Sequence, residues 1–487
     1  MLKDRYEVKK YQAGLKMILY VSVRELFACD IFFLHSIDKG LYCEIKTNKE
    51  ITREDVVKIK NHMQEIINKN EKINKKIISK KDAYDFYAKI NEFEKASNIQ
   101  NLNINAIPIN ELHGYYNSFL DMMPEYTGEL NKFDLTYIGD NGIVLSFPIT
   151  DDNIVEPYTS QELVLKSFKE YRNWCNNHKT TYISELNNII AKSKIKEFIK
   201  MNDIMIDNEM FSIAYKIVNS KKKFVILGGP SSSGKTTSTR KLSLYLRALG
   251  FNPIVLSTDD YFKERDETPR LPDGKYDFES VDALDLNLFN KQLQDMMSGK
   301  IVKIPTFNFV TGKKEYSDKK TVTIKENDIV LIEGLHFLNE ELSKNVPRKD
   351  KLKIYISPFM PIAFDRHNHI STIDIRLLRR IVRDNRTRGF DVIKTLENWD
   401  SVRNGETKYV FPYTKEADII LNTAHVYEIG ILKVYAEPLL HSVPIDSKYY
   451  KEARRLIGEL QMFFPIPSEY LSDDNILREF IGDSYFE

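Results

Sequence analysis

Cysteine is scarce in this chain: three residues in 487, at Cys29, Cys43 and Cys175, with no C-x-x-C pair among them. That argues against a disulfide framework and a thiolate zinc centre. Net charge is almost absent too, +1 at pH 7 from 71 basic and 70 acidic residues. Overall charge therefore gives no support to a nucleic acid or a membrane surface as partner, and any basic function must be local. No apolar run approaches membrane-spanning length, and the expectation is a soluble, cytoplasmic protein. Internal repeats and low-complexity linkers are missing as well. What remains is 42% hydrophobic and 11% aromatic content, enough for proper cores, on a chain long enough for more than one domain.

One stretch organises the rest: Phe224-Val-Ile-Leu-Gly-Gly-Pro-Ser-Ser-Ser-Gly-Lys-Thr-Thr237. Phe224 to Leu227 read as a buried strand. Gly229, Gly234, Lys235 and Thr236 keep the G-x-x-x-x-G-K-[ST] spacing of a P-loop, and Ser238 to Leu249 has helical periodicity that stops at Gly250. Wrapping a triphosphate in backbone N–H groups requires positions without side chains. The loop of Gly229, Pro230, Ser231, Ser232, Ser233 and Gly234, continued by Lys235, Thr236 and Thr237, is therefore predicted to bind ATP. Lys235 would reach the β- and γ-phosphates, and the Thr236 hydroxyl would ligate Mg²⁺.

Taken in order, residues 1–150 alternate helical and strand patterns. A helix is predicted over Tyr11–Phe27 and strands over Ile31–His35 and Leu41–Ile45. Thr52 to Asp55 should open a helix that runs to Asn70. A strand at Lys72–Ser79 and one helix over Asp82–Lys95 follow, then a hairpin of Phe133–Ile138 and Gly142–Phe147 around Gly139-Asp-Asn141. The class is α+β. Residues 151–220 read as a helical connector. Residues 221–425 place apolar strands at 253–257, 328–334, 353–357 and 417–421 between helices, which implies a doubly wound parallel α/β sheet with ligands at the strands' carboxyl ends. Residues 426–487 are expected to be a helical extension packed on that unit.

Phosphoryl transfer also needs metal, base and charge stabilisation. Glu333 ends an apolar strand, where a carboxylate can hold Mg²⁺ directly or through water; the alternative is an acid that caps a loop. Asp259 and Asp260 follow the second strand, and one of them could take the proton of an attacking hydroxyl. The residues alone do not choose between them. Arg376, Arg379, Arg380 and Arg383 recur at helical spacing beside apolar residues, so their helix carries a guanidinium face suited to nucleic acid or to a lid over a triphosphate.

Two resemblances extend this reading. Val23-Arg-Glu-Leu-Phe27, His35-Ser36, Gly40-Leu-Tyr-Cys-Glu44 and Tyr126-Thr-Gly-Glu-Leu130 resemble the editing-type domain of threonyl-tRNA synthetases. The histidine pair that such domains use for metal-assisted hydrolysis falls at Ala13 and Met17, so the resemblance implies an inactive relic. His35 or His113 is the residual candidate, against a structural role for each.

The second resemblance covers roughly 40% of the chain. The P-loop, Ser257-x-Asp259-Asp-Tyr-Phe262, Tyr276 to Asp285, Ile304-Pro-Thr-Phe-Asn-Phe309, Ile332-Glu-Gly334 and Arg379-Arg-Ile-Val-Arg-Asp384 follow the order of the uridine kinase and phosphoribulokinase family. The whole chain resembles bacterial uridine-kinase-like proteins with a threonyl-tRNA-synthetase-like N-terminal half. The resemblance implies that Asp259 is the general base and that Glu279 binds ribose hydroxyls. Arg383 and Arg388 would contact ATP phosphates, and Arg380 would face the acceptor together with Phe262 and Phe307. It departs where the base is read: a histidine falls at Gly312, an arginine at Phe390, and Phe307 lacks a hydroxyl. The expectation is an ATP- and Mg²⁺-dependent kinase acting on a small hydroxyl acceptor, a nucleoside first, with a sugar or polyol kinase or a nucleotide-gated RNA- or tRNA-binding protein as alternatives.

Overall fold

The segment Phe224–Gly228 is the middle strand of a five-stranded parallel sheet. Its spatial order is Ile419–Asn422, Lys351–Ser357, Phe224–Gly228, Asp328–Gly334 and Asn252–Ser257. The three central strands are buried along their whole length, because both faces of the sheet are covered. Val225 and Leu227 pack with Met210, Ile213, Leu242 and Leu246 on one side. Phe224 and Ile226 pack with Leu256, Phe289 and Phe337 on the other. A side-chain period of two on a sheet with two cores reads as an uninterrupted apolar run, which is how the strands were legible. The α/β class of this unit is as expected. The structure is a computed structural model and describes residues 3–271 and 274–486.

Each of the two units is assembled from separated segments. The first comprises Met1–Lys196, Met360–Ile375 and Val426–Pro467, and the second Glu197–Phe359, Arg376–His425 and Ser468–Glu487. The serial division expected from the sequence differs in three places. The helical connector is split, since the helices Glu162–Asn177 and Ile183–Ala191 fall in the first unit while most of Ile195–Ser220 falls in the second. Residues 360–375 leave the second unit. Of the C-terminal extension only Ser468 onward groups with the sheet, and Val426–Pro467 does not. Electrostatics accounts for the last two. In the first unit Asp374 is 1% exposed and accepts hydrogen bonds from Lys9 at 3.0 Å and from Arg455 at 2.5 and 3.3 Å, and it also pairs with Arg5. A carboxylate that deeply buried needs such partners, and Arg455 comes from the helix Tyr450–Gln461.

Within the first unit the helix Arg5–Phe27 is capped by Asp4, whose side chain accepts from the Tyr6 and Glu7 amides. A four-stranded antiparallel sheet runs Asp30–Ile37, Gly40–Lys46, Gly142–Ser146, Asp134–Gly139. Its hairpin turn holds Gly139, Asp140 and Asn141 at positive φ (90°, 51° and 58°), the conformation such tight turns require. Thr52 and Asp55 form a complete capping box on the helix Arg53–Lys69. The single helix expected over 82–95 is instead two, Lys80–Lys89 and Phe93–Asn101. Asn91 turns the chain at φ 62°, and Glu92, 1% exposed, faces Lys95 at 3.2 Å. A second sheet of Asn74–Ser79, Ala106–Leu112 and Tyr115–Asn117 and a two-stranded one of Ala363–Asp365 and Asn368–His369 complete the unit's pleated structure.

Candidate active site

The phosphate loop is held from behind. Gly229 has no room for a side chain, since a Cβ there would lie 2.2 Å from the Ile356 carbonyl oxygen. Gly234 opens the helix Lys235–Ala248 at φ +83°, a backbone geometry that costs a glycine nothing. Arg376 is 1% exposed and donates through Nε to the Ser231 carbonyl at 2.8 Å, while its Nη2 binds Glu406. Glu406 in turn accepts from the Ser231 amide at 2.8 Å. Arg379, fully buried, reaches the Ser232 carbonyl at 3.5 Å and the Thr423 carbonyl at 2.9 Å. The Thr423 hydroxyl donates to Ser233 O at 2.6 Å. Pinning carbonyls inward leaves loop amides to face a ligand.

The first two arginines of the expected guanidinium face are thus interior braces rather than a lid surface. The others gather on one buried carboxylate. Asp384 is fully buried and meets Arg380 Nε at 3.2 Å, Arg383 Nη2 at 2.9 Å and Arg388 Nη1 at 3.4 Å. Arg380 also donates through Nη1 to the Ser231 hydroxyl at 2.8 Å, which ties this cluster to the loop. Arg388 remains exposed.

Two carboxylates stand at strand ends beside the loop. Glu333 lies opposite Leu227 on one neighbour and Ser257 on the other. Gly334 lets this corner close, because a Cβ there would lie 2.1 Å from Thr258 Oγ1. The Thr236 hydroxyl donates to Glu333 at 3.1 Å. Burial pushes Glu333 up to about 7, with Lys235 opposing the rise and Asp259 adding to it. Lys235 donates to the Pro230 carbonyl at 2.8 Å, and burial lowers its pKa against the pull of Glu333, Glu479 and Asp259.

Asp259 and Asp260 separate cleanly. Asp260 accepts from the Phe307 amide and from Lys320, each at 3.2 Å, and so fastens the antiparallel hairpin of Val302–Asn308 and Lys313–Val322. Asp259 has no hydrogen-bond or ion-pair partner among the described residues and is exposed. Crowding by protein around its carboxyl nevertheless raises its pKa, with Lys235 opposing and Asp260 adding.

Glu279 joins the same electrostatic neighbourhood. It is half-buried, and burial lifts it to about 7 against Arg380. Gly405 makes room for it, since a Cβ there would sit 2.7 Å from Glu279 Cβ. Next to Glu279 in sequence, Phe278 belongs to an aromatic cluster with Phe262 (5.3 Å between centroids), which also meets Phe307 at 5.7 Å and Phe309 at 5.9 Å. Gly312 is occupied space: a Cβ there would meet Arg265 Nε at 2.7 Å, and Arg265 donates to the Phe309 carbonyl at 2.7 Å. The structure brings together Lys235, Thr236, Glu333, Asp259, Glu279 and Arg380. Sequence reasoning missed Glu406, Thr423 and Glu479; each sits in a stretch whose composition carries no motif.

The two histidines singled out in the first unit, His35 and His113, are held by packing and ion pairs. His35 is buried, packs against the Phe168 ring in a tilted pair 3.6 Å between centroids, and is driven down to about 3 by burial. His113 bridges Glu25 at 2.9 Å and Glu71 at 2.5 Å. Burial opposes its protonation, but the two carboxylates outweigh it and raise its pKa. Ala13 and Met17 are fully buried. Asp30, Glu92 and His367 lie close enough to share a cation. Their charge is already met by Arg24 at 3.1 Å and Arg366 at 3.0 Å on Asp30, and by Lys95 on Glu92. Among the described residues no helix is long and apolar enough to cross a membrane.

Comparison with known proteins falls mostly on the unit that holds the loop. The family model described as "Phosphoribulokinase / Uridine kinase family" matches residues 224–429. A uridine kinase of Borrelia hermsii (strain HS1 / DAH) is 30% identical over 205 residues, 41% of this chain and 85% of its own length. One of Macrococcus caseolyticus (strain JCSC5402) is 28% identical over 203 residues, 42% of this chain and 88% of its own. A solved structure described as a possible uridine kinase from Bacillus stearothermophilus aligns over 44% of this chain and 98% of its own, at 17% identity and a TM-score of 0.31, too slight a likeness to carry weight.

The two aspartates should respond differently to substitution. With Asp259 as the proton acceptor that the resemblance implies, Asp259→Asn keeps the shape and should lower kcat by roughly 10²–10⁴-fold with ATP binding retained. Asp260→Asn weakens the hold on Phe307 and Lys320 and should leave kcat within about tenfold. Steady-state kinetics on both variants checks the ranking, and the reverse order would move the base to Asp260.

Proposed function

Through residues 224–429 the chain belongs to the phosphoribulokinase/uridine kinase family and is an ATP-dependent kinase, and from that premise we propose that it transfers the γ-phosphate of ATP to a primary hydroxyl of a nucleoside. The observation that carries this reading is the unpartnered Asp259 carboxyl beside the cationic Lys235 and the Thr236–Glu333 pair. Asp259 takes the proton of the acceptor hydroxyl as its oxygen attacks the γ-phosphorus, and the bond to the ADP oxygen breaks. The raised pKa makes Asp259 a better proton acceptor than an ordinary aspartate. Lys235 meets charge on the transferring group, and the loop amides from Ser232 to Thr237 hold the other phosphates. Thr236 and Glu333 present oxygen atoms only, which suits Mg²⁺; they would hold it, and it would neutralise phosphate charge there. Arg383 and Arg388 are then to be drawn from Asp384 towards phosphate, and Arg380 lies between the loop and Glu279.

On the acceptor side Glu279 accepts hydroxyl hydrogen bonds, and Phe262 and Phe307 offer ring faces. Gly312 and Phe390 offer no side-chain hydrogen bond to a base, which favours broad base selectivity and keeps a sugar or polyol acceptor as the second reading. The first unit, in this proposal an editing-type fold of the threonyl-tRNA-synthetase kind, contributes no hydrolysis.

An acceptor panel tests the assignment. Uridine, cytidine and a purine nucleoside should be phosphorylated with similar kcat/KM. A preference for uridine of about a thousandfold or more over the purine nucleoside would mean that other residues read the base.

A pH profile tests Glu279. Its carboxyl is protonated below about 7 and then accepts fewer hydroxyl hydrogen bonds. The acceptor KM should fall as pH rises through that value, and Glu279→Gln should flatten the dependence. A KM indifferent to pH in the wild type would remove Glu279 from the acceptor site.

A further inference from the structure

The segment from Ser468 onward belongs to the same unit as the phosphate loop and lies against it. Ile476, 1% exposed, blocks the space a Cβ at Gly234 would take, at 2.7 Å. The Phe480 ring, fully buried, lies 5.0 Å from the guanidinium of the loop brace Arg379. Asp474 pairs with Lys241 of the loop's helix at 2.9 Å, and Arg240 of that helix donates to the Phe486 carbonyl. Arg386 donates to the Glu479 carbonyl at 3.3 Å. These contacts flank Glu479 on both sides and fix its backbone.

The Glu479 side chain then does something the fold does not require. Its Oε2 accepts a hydrogen bond from the Thr237 amide at 3.2 Å. The helix Lys235–Ala248 begins its own hydrogen bonding one residue later, where the Ser238 amide donates to Gly234 O at 3.0 Å. Thr237 therefore supplies one of the orphan N–H groups at the helix start, the kind that a P-loop turns toward nucleotide phosphates. The carboxylate is near enough for its charge to bear on Lys235 and Glu333.

We propose that Glu479 is an autoinhibitory competitor for the nucleotide's phosphates: it holds the Thr237 N–H that a bound triphosphate takes, so the C-terminal segment raises the ATP concentration the kinase needs. This rests on the reading of Gly229–Thr237 as the ATP loop. A carboxylate and a phosphate oxygen are both pure acceptors here, one N–H serves one of them, and their like charges repel. Since the backbone on either side is anchored, ATP need only rotate the Glu479 side chain away. The device is a single-residue gate, not a moving domain.

The test is calorimetric binding of ATP and of adenosine to wild type, Glu479→Gln and Glu479→Ala in the full chain, with thermal melts to show that each variant is folded. Removing one negative charge at a helix start should tighten ATP roughly tenfold in both variants, and adenosine, which has no phosphate, should bind as before. ATP affinity that is unchanged or weaker in folded variants overturns the proposal; weakening of ATP and adenosine together would make Glu479 a positioning residue for the nucleoside instead. If wild type and variants alike fail to bind ATP, the loop reading falls and the gate with it.

Discussion

The structure of the second unit turns on how its phosphate loop is held open. A loop that offers its amides to a triphosphate must put its carbonyls somewhere, and burying them unpaired is costly. Here Arg376 and Arg379 enter from one helix and take the Ser231 and Ser232 carbonyls, while Thr423 takes that of Ser233. Two guanidinium groups buried to 1% or less need compensation of their own. Glu406 and the Trp399 ring provide it for Arg376, and the Thr423 carbonyl and Phe480 ring for Arg379. Lys235, Thr236 and Glu333 depend on this frame, because Lys235 and Thr236 directly follow the loop and Glu333 is set against Thr236.

Much of this is legible in the sequence, and for physical reasons. The buried parallel strands read as apolar runs because both faces are covered; of the loop's glycines, Gly229 is fixed by the lack of room for a Cβ and Gly234 by a left-handed backbone that favours glycine. Thr52 and Asp55 formed the cap their spacing suggested. Other features left no local trace. The strand Lys313–Val322 is largely exposed and rich in lysine, so it lacks the alternation that marks a half-buried strand. The break at Asn91 depends on where Glu92 and Lys95 find partners, which periodicity does not record. The arginine helix was read as one face, but its residues have two fates: Arg376 and Arg379 brace the loop, and Arg380, Arg383 and Arg388 share Asp384. Spacing shows a guanidinium stripe; only the fold shows which of its members are interior.

The grouping of the chain was the least legible feature. Residues 360–375 and 426–467 carry no composition change that would set them apart. Their membership in the first unit follows from one buried carboxylate, Asp374, and the cations gathered on it. His35 and His113 of that unit are likewise absorbed into packing and ion pairs.

The central claim is that this loop and its strand-end acids transfer phosphate. The most direct measurement follows label from γ-labelled ATP into the best acceptor of a nucleoside and sugar panel, for the wild type and for Lys235→Ala. The account predicts a labelled acceptor monophosphate from the wild type and a rate lower by roughly 10³-fold or more without the lysine. A folded Lys235→Ala protein that transfers label at close to the wild-type rate would contradict it.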